Sequence, residues 1–167
     1  SHDTARMRTV VLGDKKLHLT AMTLLLTYPG VPSIFAGDEI GLEGSSGEDS
    51  RRTFNWDDQS SWDTEFLGQV KELISLRKKH DAFINGGLRW VLVDNDCIAF
   101  LRESKKETIL VFVSRKAVTT SIDLSKLDYV VKAGLYGASA TGTQITINAP
   151  GPVQGVWVLE SSQKLSG

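Results

Sequence analysis

The chain has 167 residues, 41% hydrophobic and 23% charged, with 19 basic against 20 acidic side chains and a net charge of −1. That length can bury a core as one domain or two, and the balanced charge gives no global pull towards nucleic acid or an anionic membrane. One cysteine, Cys97, excludes an internal disulfide framework and a multi-cysteine zinc site, and three histidines (His2, His18, His80) argue against a His-rich metal centre.

The chain opens on Ser1-His2-Asp3-Thr4, a polar start without an initiator Met that reads as cut from something longer. Leu17, Ala21, Leu24, Leu25 and Tyr28 recur at helical spacing and predict a helix over 14–28, capped by Asp14 and stopped by Pro29. The apolar stretch 17–37 is broken by Pro29, Gly30 and Pro32, too interrupted for a membrane span. No cationic start leads into a short apolar core, so no signal peptide is expected. Residues 33–37, bounded by turn formers, predict a short buried strand. A polar, Gly-rich loop follows to about residue 60, long enough to be functional or disordered; Trp56 and Arg51-Arg52 favour order. A second helix is predicted over 61–80, capped by Ser60 or Ser61. Phe66, Val70, Leu73, Ile74 and Arg77 keep its period, and Arg77-Lys78-Lys79-His80 complement its dipole at the close.

Beyond Gly86-Gly87 the period switches to two. Residues 88–93 and 97–102 flank Asp94-Asn95-Asp96 as a hairpin, and 108–114 is a nearly continuous Ile/Leu/Val/Phe strand. Further strands are predicted over 119–123, 129–133, 144–148 and 155–159, together an antiparallel sandwich. The polar tail 161–167 is expected to be disordered.

Three constellations could carry chemistry. His2-Asp3 reads as a metal pair, an acid/base pair, or a chance dipeptide bonding within a loop. Asp38-Glu39 follows the predicted strand, where α/β folds place their sites; a solvated loop start, or pairing with Arg51 or Arg52, is the plainer reading. Arg51-Arg52 with Trp56 and Asp57 could bind phosphate, stack a sugar, or pin the loop by pairing with Asp38 or Glu39, the structural role being favoured. Cys97 lies in an apolar strand and reads as a small buried hydrophobe.

Read together, the segments resemble the α-amylase family, glycoside hydrolase family thirteen, nearest its α-glucosidase and neopullulanase-like branches. Ser1-His2-Asp3-Thr4-Ala5-Arg6 resembles the family's (Asn/Ser)-His-Asp-Thr-x-Arg motif. Gly30-Val31-Pro32-Ser33-Ile34-Phe35-Ala36-Gly37-Asp38-Glu39-Ile40-Gly41 resembles its Gly-x-Pro…Gly-(Asp/Glu)-Glu-x-Gly motif, and Arg51-Arg52-Thr53-Phe54-Asn55-Trp56-Asp57 its Arg-Arg-x-x-x-Trp-Asp stretch. Phe35-Ala36 departs from the Tyr-Tyr or Tyr-Gln of many relatives.

The resemblance implies an α/β plus all-β chain: residues 1–82 as the carboxyl-terminal part of a catalytic (β/α)8 barrel, and 83–160 as an antiparallel β-sandwich domain. It implies a retaining glycoside hydrolase acting on α-glucan or malto-oligosaccharide. Asp3 would be the acid that stabilises the transition state and His2 would bind the same sugar. Asp38, Glu39, Arg51 and Arg52 would brace the loop. The nucleophile and acid/base motifs of the family lie upstream of its His-Asp motif, so the chain is expected to be inactive alone. No cofactor, metal, nucleic acid or membrane is implied. The expected partners are the substrate, the missing amino-terminal barrel portion and a second copy of the chain. A different class of reading is a non-catalytic module that stabilises a barrel or binds glucan through Trp56, Trp62 or Trp90. A metal phosphohydrolase built on His2-Asp3 lacks histidines at ligand spacing.

Overall fold

The structure is a computed structural model describing residues 1–163. Four helices precede seven strands: α1 (Met7–Val10), α2 (Lys15–Thr27), α3 (Thr64–Lys79), α4 (Asp81–Asn85), β1 (Gly87–Val93), β2 (Cys97–Glu103), β3 (Thr108–Ser114), β4 (Val118–Asp123), β5 (Tyr129–Gly137), β6 (Gln144–Ala149) and β7 (Val153–Ser161). Five strands form an antiparallel sheet in the order β1-β2-β3-β7-β5, and β4 pairs with β6 in a separate antiparallel ribbon.

Alternation along the strands sorts side chains between two cores. In β3, Ile109, Val111 and Val113 enter one cluster, while Leu110 and Phe112 enter the other. β7 divides Val156 from Trp157 in the same way. A strand buried on both faces reads as the continuous apolar run seen in the sequence. On one face the ribbon covers the sheet through Ile122, Ile145 and Ile147 around Trp157. On the other, Leu19, Met22 and Leu26 of α2 and Phe66, Val70 and Leu73 of α3 pack on Phe100, Val111 and Val156. The fold is a mostly antiparallel β domain with a few helices laid on it, and one shared core joins them.

Several sequence expectations are corrected. Residues 33–37 form no strand; the segment runs irregularly into a turn and a 3-10 turn over Asp38–Ile40. A strand needs a neighbour to take up its N–H and C=O groups, and no strand of the described residues lies beside this one. The cap of α3 is Asp63, whose carboxylate accepts from Phe66 N–H at 3.2 Å, not Ser60 or Ser61. Ser60 is spent on Asp58 through both its N–H and its hydroxyl, inside a separate 3-10 turn over Gln59–Ser61. The helix α4 was invisible in the sequence, since five residues hold too little periodicity. Ser161, expected to open a disordered tail, closes β7, and Ser162 N–H donates to Asp128 O. The remainder of that tail, 164–167, lies outside the described residues.

The face of α2 also differs. The residues with the clearest periodicity, Leu17, Ala21, Leu24, Leu25 and Tyr28, are half-buried or exposed, whereas His18, Leu19, Met22, Thr23 and Leu26 are buried. The threonines tolerate burial because each hydroxyl donates back to its own helix, Thr20 to Lys16 O, Thr23 to Leu19 O and Thr27 to Thr23 O.

The helices are tied to the sheet by arginines that donate to carbonyls. Arg102 of β2, 1% exposed, donates to Thr27 O at the end of α2, to Phe83 O and Gly86 O around α4, and to Gly87 O of β1. Arg77 of α3 donates to Leu26 O, Tyr28 O and Gly30 O. Arg102→Ala strands several buried carbonyls at once and is expected to cost roughly 3–5 kcal/mol, read as a lower midpoint of urea unfolding. Arg102→Lys is expected to recover only a small part, since an ammonium cannot span the fork.

Candidate functional site

The segment 1–9 is gripped by the loop that returns around residues 44–51. Arg6 N–H donates to Gly44 O, Gly44 N–H to Thr9 Oγ1, and Ser50 Oγ to Thr4 O at 2.8 Å. Gly47 passes so close to Asp3 that a Cβ there would fall 3.0 Å from the Asp3 carbonyl, so a side chain here would press on the Asp3 backbone.

At the tip of this grip sit the sequence-predicted residues. His2 Nε2 lies 3.3 Å from Asp3 Oδ2, and Arg51 Nη2 lies 3.3 Å from Asp3 Oδ1. Arg51 Nε also donates to His2 O at 3.1 Å, bridging both residues. The Asp3 side chain is 65% exposed, its carboxylate facing solvent with the His2 ring on one side and the donating Arg51 guanidinium on the other. His2 meets Phe35 edge-on at 6.5 Å.

The remaining predicted residues sit apart from this corner. Asp38 pairs with Arg6 at 3.0 Å, and Arg6 also lies 4.1 Å over the Phe35 ring and donates to Ser50 O. Burial pushes the Asp38 carboxyl above its ordinary value against the pull of Arg6. Glu39 accepts from Gly37 N–H at 2.7 Å. Arg52 forks onto Asp49, which the Ser45 N–H, Arg52 and the Ser45 hydroxyl together hold down to about 2. The expected pairing of Arg51 or Arg52 with Asp38 or Glu39 is therefore not what forms: Arg6, 44 residues before Ser50 and buried, reaches Asp38 first. Cys97 is buried, and that burial pushes its thiol up.

Residues not singled out in the sequence form a second ionic cluster. Arg8, 5% exposed, pairs with Asp63 at 3.0 Å, donates to His18 Nδ1 at 3.1 Å and lies over the Phe66 ring. Lys15 joins at 3.0 Å. Against the upward push of burial, the hydrogen bonds from Lys15, Arg8 and the Phe66 N–H hold Asp63 below its ordinary value. Burial, then the charge of Arg8, push His18 down to about 4. The signal that could have found this cluster is Asp63 itself, an acid three residues before the first apolar residue of α3.

His18 gives a pH dependence of known sign. Its folded pKa lies near 4 against 6.5 for the free side chain, so only the unfolded chain binds the proton between those values. Stability is expected to fall by roughly 3 kcal/mol as pH drops through that window. Urea midpoints measured across it check this, and His18→Asn, which keeps an acceptor for Arg8 Nε, is expected to flatten the profile.

Comparison with known proteins gives the family. No family model matches the chain. Among curated proteins it is 35% identical over 116 residues to a cyclomaltodextrinase of a Bacillus species, covering 68% of this chain and 21% of that enzyme. It is 33% identical over 130 residues to a maltogenic α-amylase of Bacillus acidopullulyticus, covering 75% and 22%. Of solved structures, a debranching enzyme of Nostoc punctiforme superposes with a TM-score of 0.79 at 30% identity, over 94% of this chain and 34% of that one. The chain spans about a fifth of the length of the curated relatives it matches. With the His-Asp corner and the β domain in the order already described, the chain belongs to the α-amylase family, glycoside hydrolase family thirteen, and corresponds to the carboxyl-terminal region of its enzymes.

Proposed function

We propose that these residues are the carboxyl-terminal part of a retaining glycoside hydrolase that acts on α-glucosidic linkages of maltodextrin-like substrates. The observation that carries this reading is the Asp3 corner: an exposed carboxylate between the His2 ring and Arg51, with the Arg51 guanidinium donating to Oδ1. In the retaining mechanism one carboxylate attacks the anomeric carbon and another group protonates the leaving oxygen. The part left for Asp3 is a third one: its carboxylate accepts hydrogen bonds from the hydroxyls of the sugar at the cleavage point. It also stabilises the positive charge that grows on the ring in the transition state. Arg51 fixes the carboxylate's direction before the sugar arrives, and His2 donates to the same sugar.

The nucleophile and the acid/base would come from residues outside this chain. Residues 1–82 would complete a (β/α)8 barrel, residues 83–160 would form its β-sandwich companion, and Asp38, Glu39, Arg51 and Arg52 would brace the loop between. The outer side of α2 supports this division: Leu25, Tyr28 and the following Val31 stay exposed, as residues meant for another layer do.

Two measurements test the reading. The 167-residue chain alone is expected to leave nitrophenyl α-glucoside and maltodextrin uncleaved; turnover above an Asp3→Ala control overturns it. In the longer polypeptide, Asp3→Asn is expected to lower kcat by roughly 10²-fold or more with the unfolding midpoint unchanged.

A further inference from the structure

A cleft of about 650 Å³ opens between residues 40–43, Asn55 and the start of α3. Its floor is Arg8, and Arg8 Nη2 is buried there without a hydrogen-bond partner. His18, whose Nδ1 accepts from Arg8 Nε, carries its proton on Nε2, and that atom too is buried without a partner. Gly41, at φ +73°, forms the adjoining wall, and a Cβ at this position would fall 2.8 Å from Arg8 Nη2, so a side chain here would be strained and would displace the guanidinium. Burying a donor unpaired costs about 1–3 kcal/mol, which an acceptor would recover only if a small shift of the floor opened Arg8 Nη2 to the cleft.

The charges on the walls select the kind of acceptor. Arg8, Lys15 and Arg52 are matched by Glu43, Asp63 and Glu65. Asp63 already takes both Arg8 and Lys15 at 3.0 Å, so the cationic field is spent. An anion would meet three carboxylates; a neutral ligand whose hydroxyls both donate and accept meets a partner of either kind. One wall is Trp62, held rigid because its indole N–H donates to Asn55 O at 3.1 Å and its ring is met edge-on by Phe54 at 5.2 Å. A fixed aromatic wall facing mixed charged side chains suits the apolar faces and hydroxyl edges of a sugar.

We propose that this cleft is a carbohydrate-binding site separate from the Asp3 corner, taking a short neutral oligosaccharide against Trp62 with Arg8 and Asp63 at its floor. The site stands on its own geometry; only the choice of an α-linked sugar rests on the proposed function. The adjacent arginines divide the two sites, since Arg51 serves Asp3 while Arg52 turns to Asp49 and lines this cleft.

Calorimetric titration of the 167-residue chain with maltotriose tests it. Saturable binding is expected with a Kd of roughly 1–10 mM, weak because the cleft is open. Trp62→Ala is expected to weaken it about tenfold. Thr64→Trp, a substitution at an exposed position that fills the cleft, is expected to abolish it, and Asp3→Ala is expected to leave it intact. Circular dichroism confirms that each variant is folded. No saturable binding of maltotriose or cellotriose overturns the proposal, as does binding lost with Asp3→Ala but kept with Thr64→Trp. Inorganic phosphate binding in place of sugar also overturns it. Cellotriose bound in place of maltotriose, with the same response to Trp62→Ala and Thr64→Trp, upholds the site and counts against the α-glucan reading.

Discussion

Arg102 is the group on which the arrangement of helices and sheet depends. A guanidinium taken out of water must find acceptors for its donors, and here it finds backbone carbonyls rather than a carboxylate. Those carbonyls belong to the last turn of α2, to α4 and to the turn into β1, so one side chain fixes three elements relative to β2. The end of α2 is the negative end of its dipole, which offsets part of the cost of a buried cation. Arg77 stands at the same end and draws the chain through Tyr28 and Gly30 into line. The two cations repel one another, and burial together with that repulsion lowers the affinity of Arg102 for its proton. The carbonyls between them keep both in place.

The same chemistry, used with carboxylates, builds the Asp3 corner. Arg6 and Arg8 alternate along the segment after Asp3 and point to different partners: Arg6 to Asp38 and the Ser50 carbonyl, Arg8 to Asp63 and His18. Arg6 therefore pins the returning loop to the first segment, and Arg8 pins both to the start of α3. Asp63 does two jobs at once, capping the helix and accepting the arginine, which is why the helix begins there and not at the serines before it. With these buried pairs holding the loop, Arg51 needs only an exposed contact to orient Asp3.

What was legible in the sequence follows from how local each signal is. The hairpin, β3 and the later strands were legible because alternation is carried by neighbouring residues, and β3 is apolar on both faces because both faces are covered. Strand 33–37 was misread because an apolar run bounded by turns looks the same with or without a neighbour, and the neighbour is a property of the fold. At the candidate site, His2, Asp3 and Arg51 were visible as residue types, but which carboxylate each arginine takes was not. Arg51 reaches back across 48 residues to Asp3, in a loop that Gly47 brings close to the Asp3 backbone. Arg8 and His18 gave no signal, since a buried cation and a neutral histidine look in sequence like a solvated face.

The misread face of α2 is informative in its own right. A helix with one apolar stripe has one neighbour; α2 has Leu19, Met22 and Leu26 buried in the core, Leu24 half-buried against the same core, Tyr28 edge-on to Phe100 of β2 at 5.9 Å, and Leu25 exposed. The half-buried stripe through Leu17, Ala21 and Leu24 is the more regular of the two, unbroken by His18 or the threonines, and it is the one that periodicity finds. The sheet accepts polar residues on the near side because Arg8 and the helix's own carbonyls satisfy them. Leu25 on the helix and Val31 just past it stay exposed, apolar side chains that nothing among the described residues covers.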